Sequence, residues 1–201
     1  VWCDGCRLGL ELITGPRCAR CGAPTRWPVD RCRECRGRRL AFAAAWAAVA
    51  HRGAAAVLVR RWKDGGLALG AVAAEAVLGR RAAPAADCLC PVPGDPGRVR
   101  RRGVDTPRAL AGALEAAWSV PVRRDLVVRA RAVPPQRGLD AARRRRNLAR
   151  AFAPGAAAPA TVVLVDDVYT TGATADACAR ALRKAGARRV EVVTFARALR
   201  R

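Results

Sequence analysis

The chain has 201 residues and a formal net charge of +22, from 38 Lys and Arg against 16 Asp and Glu. Hydrophobic residues make up 52% of it, enough to bury a core, which excludes a wholly disordered, charge-expanded chain. The longest apolar run, Leu40 to Ala50, is short and mostly alanine, so no membrane span is expected; no basic-then-apolar leader opens the sequence, and a cytoplasmic protein is expected.

Six of the nine cysteines stand at the start as three Cys-x-x-Cys pairs: Cys3/Cys6, Cys18/Cys21 and Cys32/Cys35. This spacing lets a short turn aim two thiolates at one metal while backbone N–H groups hydrogen-bond the sulfurs. The best four-thiolate zinc set is Cys18, Cys21, Cys32 and Cys35, because Gly22 supplies the glycine that a tight knuckle favours. Cys3 and Cys6 stand as possible alternates for either pair. The competing reading is a disulfide framework, which a cytoplasmic chain disfavours. With few apolar residues of its own, this segment needs a structural zinc, giving a zinc-ribbon module over residues 1–39 and an α/β domain over 40–201. The remaining cysteines, Cys88, Cys90 and Cys178, read as buried packing residues.

Beyond residue 40, strands and helices alternate. Between Ala41 and Arg61 alanine masks the periodicity, and helix and strand are not separable there. Leu67 to Leu78 fits an amphipathic helix, Ala86 to Cys90 a strand, and Pro107 to Trp118 a helix with proline in its first turn. The β-branched run Val162–Val165 has the pattern of a strand covered on both faces of a parallel sheet. A helix follows from about Thr174 to Ala185, closed by Gly186, and then a strand from Val190 to Phe195. The fold class is therefore α/β with a mostly parallel sheet.

The chemistry concentrates in Val162–Thr174, which reads VVLVDDVYTTGAT. Asp166 and Asp167 fall at the carboxyl end of a strand, where open α/β sheets place their ligands. Val168, Tyr169, Thr170, Thr171, Gly172, Ala173 and Thr174 then offer successive N–H groups and threonine hydroxyls at a helix N-terminus, an arrangement suited to phosphate. Carboxylates beside a phosphate cradle would repel the phosphate unless they face sugar hydroxyls or a divalent cation. Together they ask for a ribose diol carrying a 5′-phosphate. No Gly-Lys-Ser/Thr follows a glycine-rich run, which excludes a Walker-type loop.

This segment resembles the 5-phosphoribosyl-1-pyrophosphate (PRPP) motif of type I phosphoribosyltransferases, and across the chain the resemblance narrows to the ComF family. Lys63-Asp64-Gly65-Gly66 is similar to that family's Lys-aromatic-x-Gly element, with Asp64 in the aromatic place. Pro91-Val92-Pro93 and Arg100-Arg101-Arg102-Gly103 are similar to its pyrophosphate-side loop and Arg-x-Arg-Gly. Pro135-Gln136, Leu139 and Arg144 to Leu148 are similar to its hood. Where the family usually carries an aromatic and Asn-Gln after Arg-Gly, this chain has Val104-Asp105-Thr106, and His51, which by itself reads as a partly exposed strand-end residue, stands where an aromatic is more usual.

The resemblance implies a type I phosphoribosyltransferase-like fold behind a zinc module, binding PRPP or another phosphoribosyl ligand with Mg²⁺. It implies that Asp166 and Asp167 hold the ribose hydroxyls and that Thr170 to Thr174 anchor the 5′-phosphate. Lys63, Arg100 and Arg102 would neutralise pyrophosphate, while Arg144 and Asn147 close over the site. It also implies a link to DNA uptake in natural competence, with single-stranded DNA and DNA-uptake or recombination proteins as partners. A non-catalytic nucleic-acid-binding accessory factor is the alternative. Of the +22, residues 1–39 carry nine basic and four acidic side chains, or +5, which leaves +17 in the rest of the chain. Much of that charge is thus free to serve a small phosphorylated ligand.

Overall fold

The computed structural model describes residues 4–66, 68–130 and 151–199. Its strands are β1 (Ala44–Ala50), β2 (Cys88–Pro91), β3 (Val127–Arg129), β4 (Phe152–Pro154), β5 (Thr161–Tyr169) and β6 (Arg189–Arg197). Its helices are α1 (Asp4–Leu8), α2 (Gly53–Lys63), α3 (Leu69–Leu78), α4 (Pro96–Arg102), α5 (Thr106–Trp118) and α6 (Ala173–Lys184). The central sheet runs β1-β6-β5-β2 and is parallel throughout, while β3 and β4 form a separate antiparallel pair. The fold is mixed α/β with a parallel central sheet, as the sequence leads one to expect.

The apolar run in β5 is continuous because both faces are covered. Val163 and Val165 join a cluster with α2, α3 and α5; Val162 and Leu164 join another with α6 and the cysteine-rich segment. Helix α6 lies close to the sheet because its inward residues are small, with Ala175, Ala179 and Ala181 buried beside Cys178 and Leu182. Cys88 and Cys90 are buried in β2, so all three cysteines outside the N-terminal pairs are packing residues.

The alanine-rich stretch resolves through partners rather than propensity. Ala44 to Ala50 pairs with β6, from Ala44 opposite Glu191 to Ala50 opposite Arg197. Gly53, at φ +50°, then opens α2, whose Leu58, Val59 and Trp62 are buried. The strand expected to end at Phe195 continues to Arg197, and β5 continues past its apolar run to Tyr169, each extending the other's pairing.

The N-terminal segment is built onto this domain. Leu12 bridges Val49 in antiparallel sense, with Ile13 N donating to Ala48 O at 2.9 Å, which covers the outer edge of β1. At Gly22 the chain passes so near β1 that a Cβ would stand 2.3 Å from Ala45 O, so glycine is required there by packing as well as by its φ of +71°. No helix among the described residues is long and apolar enough to cross a membrane.

Candidate functional site

The sheet supplies the location. After β2 the chain passes to α5 on one face, and after β5 it passes to α6 on the other. Between β2 and β5 the connections therefore part, which makes their carboxyl ends the switch point where α/β sheets bind ligands. Pairing of β2 with β5 ends at Pro91 and Val165, so Asp166 and Asp167 emerge into the opening. A pocket of about 280 Å³ lies there, lined by Asp166, Asp167, Val168, Thr170 and Thr174 together with Lys63.

The Asp167 carboxylate is held by residues from two other elements. The residue is 6% exposed; Thr106 Oγ1, at the start of α5, donates to its Oδ2 at 2.5 Å. Lys63 Nζ, at the end of α2, lies 2.9 Å from the same oxygen. Asp166 accepts from Asp167 N at 2.9 Å. Burial and the adjacent Asp167 carboxylate push Asp166 up to about 8, against the opposing influence of Lys63. At neutral pH Asp166 is therefore mostly protonated in the free site. His51, half-buried just after β1, is pushed down by burial and by Lys63, and is neutral at pH 7.

The turn that follows has the geometry of an anion cradle. Gly172 has φ +71° and precedes α6 with no side-chain cap of its own, at a helix N-terminus of the kind that suits anions. Thr170 and Thr174 reach the pocket. Thr171 Oγ1 instead accepts from Ala173 N at 3.4 Å. Tyr169 is buried beneath the turn, edge-on to Phe42 at 6.3 Å between ring centroids.

At the N-terminus, the Sγ atoms of Cys18, Cys21, Cys32 and Cys35 all lie within 4.8 Å of one another. Cys18 stands 3.5 Å from Cys35, and Cys21 stands 3.5 Å from Cys32. Burial opposes ionisation of Cys18, but backbone N–H groups of Cys21, Cys32 and Arg20 bring it down to about 7, whereas burial pushes Cys35 up to about 11. Four sulfurs at this spacing, with Cys32 N donating to Cys18 Sγ at 3.3 Å, fit a tetrahedral zinc ion. Cys3 and the side chain of Cys6 lie outside the described residues.

Over nearly its full length the chain is similar to "Competence protein F" of Haemophilus influenzae (strain ATCC 51907 / DSM 11121 / KW20 / Rd). The identity is 29% over 212 residues, covering 98% of this chain and 90% of that protein. This likeness agrees with the ComF resemblance read from the motifs. No family model matches the chain, and no solved structure matches it.

The ComF-type elements read from the sequence are distributed unevenly around the pocket. Lys63 and Arg102 line it. Arg100 is exposed on α4 and is not among the lining residues. Arg144 and Asn147, with the rest of the expected hood from Pro135 to Leu148, lie outside the described residues.

Several lining residues carry no assigned site role in the sequence reading: Asp95, Arg98, Asp105, Thr106 and Arg129, of which Asp105 and Thr106 figure there only as departures from the family pattern. Two of them carry a legible signal. Asp95 before Pro96, and Asp105 with Pro107 close behind, are N-cap patterns, and both carboxylates do accept from the N–H three residues on. These caps start α4 and α5 at the pocket. Arg129 has no such signal. It reaches the site from β3, donating to Pro93 O at 3.2 Å, with its guanidinium 4.9 Å from the Phe152 ring centroid.

Proposed function

We propose that this ComF-type chain binds PRPP, or a related phosphoribosyl ligand, and acts as a phosphoribosyltransferase. The observation that carries the reading is the convergence of the Asp166–Asp167 pair, the Thr170–Thr174 turn and Lys63 on one pocket at the sheet's switch point. In this reading the turn's N–H groups and threonine hydroxyls take the 5′-phosphate, and the carboxylates take the ribose hydroxyls. Arg98, Arg102 and Arg129 line the same pocket and would offset the charge that gathers on the leaving diphosphate.

The reaction breaks the C1′–O bond of PRPP, with its electron pair leaving on diphosphate, and an acceptor nucleophile donates the pair that forms the new bond at C1′. Asp167, and Asp166 once ligand binding has displaced its proton, place negative charge near the oxocarbenium-like carbon, while the arginines offset the departing charge. Mg²⁺, a hard cation that suits diphosphate oxygens, would arrive with the ligand and add charge compensation, and Asp166 and Asp167 would be its carboxylate donors from this chain. The name of the Haemophilus relative supports a place for this activity in competence.

Calorimetric titration of the zinc-loaded protein with PRPP and Mg²⁺ tests the reading. Binding is expected for the wild type and is expected to be lost in Asp167→Asn. Absence of PRPP heat in the loaded wild type would overturn it.

A second reading has its own observation. A groove of about 330 Å³ gathers Arg20, Arg183, Arg188 and Arg189 beside Leu40–Ala43, remote from the Asp pair. Such a groove suits a phosphate backbone, and with it the chain would contact single-stranded DNA. Affinity for an oligonucleotide should then fall steeply as salt rises, whereas a flat response would remove this reading.

A further inference from the structure

The four-cysteine site and the anion turn are far apart in sequence yet share two arginines. Arg197, the last residue of β6, is 1% exposed. Its Nη1 donates to Cys21 O at 2.5 Å, and its Nη2 donates to Glu34 Oε2 at 2.7 Å while lying 3.8 Å from Cys21 Sγ. The other side of the same guanidinium covers Tyr169, 4.5 Å from the ring centroid.

Tyr169 in turn supports the anion turn. A Cβ on Gly172 would stand 2.2 Å from the tyrosine oxygen, so the phenol is pressed against the glycine that opens α6. Three residues beyond Cys35, Arg38 Nη1 donates to Thr171 O at 2.8 Å, gripping the turn from the side. Ala41 N also donates to Asp176 Oδ1, in the first turn of α6, at 2.7 Å.

We infer that Arg197 and Tyr169, seconded by Arg38, are positioning residues that transmit the state of the four-thiolate site to the anion turn, so that metal loading and phosphoribosyl-ligand binding strengthen each other. The ligand half of this statement rests on the proposed PRPP reading. The physical chain is short. A four-thiolate zinc centre is a net anion, and a buried guanidinium needs anionic and carbonyl partners to remain in place. Loss of the metal frees the Cys18–Cys21 knuckle and with it Cys21 O and Sγ, two of the three groups that fix Arg197. Movement of Arg197 removes the cover of Tyr169, on which Gly172 rests. Close-packed interiors pass such a displacement on rather than absorbing it.

The chain has one tyrosine, so protein made with 3-fluorotyrosine gives a single fluorine resonance reporting on Tyr169. Three measurements decide the matter. Glu34→Gln in zinc-loaded protein removes a partner of Arg197 without touching a thiolate, and it is expected to shift the resonance. A resonance identical to wild type overturns the relay, as does one that stays the same when zinc is withdrawn from folded protein. Third, saturating PRPP with Mg²⁺ is expected to slow zinc transfer to a zinc-selective chromophoric chelator about tenfold, the scale of ordinary coupling between sites. An unchanged transfer rate in protein that calorimetry shows to bind PRPP overturns the coupling. If PRPP does not bind at all, the phosphoribosyl reading fails, and the relay itself is decided by the two fluorine measurements.

Discussion

Thr106 holds Asp167 through a 2.5 Å hydrogen bond between its hydroxyl and Oδ2, and both residues are only 6% exposed. Thr106 is one of the positions at which this chain departs from the usual ComF pattern, so the departure falls within the site itself. The bond fixes the carboxylate plane from α5 while Lys63 fixes it from α2.

Thr106→Val keeps the shape and removes the donor. A buried hydrogen bond to a charged group is worth about 1.5–3 kcal/mol, so the variant should melt lower and bind PRPP about tenfold more weakly. Thr106→Ser should restore most of the affinity. Calorimetry on the three proteins checks this, and equal affinities would show that Asp167 needs only Lys63.

Asp166 makes the site pH-dependent. Burial and the Asp167 carboxylate raise it to about 8, so between roughly pH 4 and 8 the folded chain holds a proton that the unfolded chain has released. Its contribution to stability therefore falls as pH rises through that window. Ribose hydroxyls and a cation favour the ionised form, so ligand binding at pH 7 should release protons and should tighten toward pH 8. Comparing binding enthalpies in buffers of different ionisation heat measures the release. Asp166→Asn should abolish it.

Much of this arrangement is written locally. The Val162–Val165 run, the adjacent carboxylates and Gly172 lie within one strand and one turn, so side-chain chemistry and spacing are sufficient to find them. The Cys18/Cys21 and Cys32/Cys35 pairs are legible for the same reason, since ligand spacing is a local property. What escapes is what depends on distant partners. Ala44–Ala50 is a strand because β6 lies beside it, and alanine carries no period of its own. Thr106 and Arg129 enter the pocket because the tertiary fold brings α5 and β3 to Asp167 and Pro93, which no spacing in the sequence records. Arg197 shows the same limit: it is one arginine among many until β6 delivers it to Cys21.

The cysteines give a prediction that separates the candidate pairs. Cys32→Ser should lose the metal and, as structural zinc sites contribute to folding directly, should lower the melting midpoint by about 10 °C or more. The double variant Cys3→Ser/Cys6→Ser should retain one zinc per chain and melt as the wild type does, because Cys18, Cys21, Cys32 and Cys35 already gather four sulfurs within 4.8 Å. Metal analysis of both proteins after gel filtration is sufficient. Retention of zinc by Cys32→Ser together with its loss from the double variant would reassign the site to Cys3 and Cys6.

Gly172→Ala probes the turn from beneath. The position has φ +71°, where a side chain costs about 1–2 kcal/mol, and the added carbon would meet the Tyr169 oxygen at 2.2 Å. Tyr169 has no room to retreat, being packed between Phe42 and Arg197. The turn must therefore rise toward the pocket, carrying Thr170 with it, and PRPP affinity should fall at least tenfold while zinc content stays at the wild-type level. Adding Tyr169→Leu to Gly172→Ala removes both the obstructing oxygen and the ring carbon that would stand 2.5 Å from the added carbon, and it should recover part of the lost affinity, since the strain of the backbone then dominates. If the double variant binds no better than Gly172→Ala alone, backbone strain and not the contact with Tyr169 governs the turn.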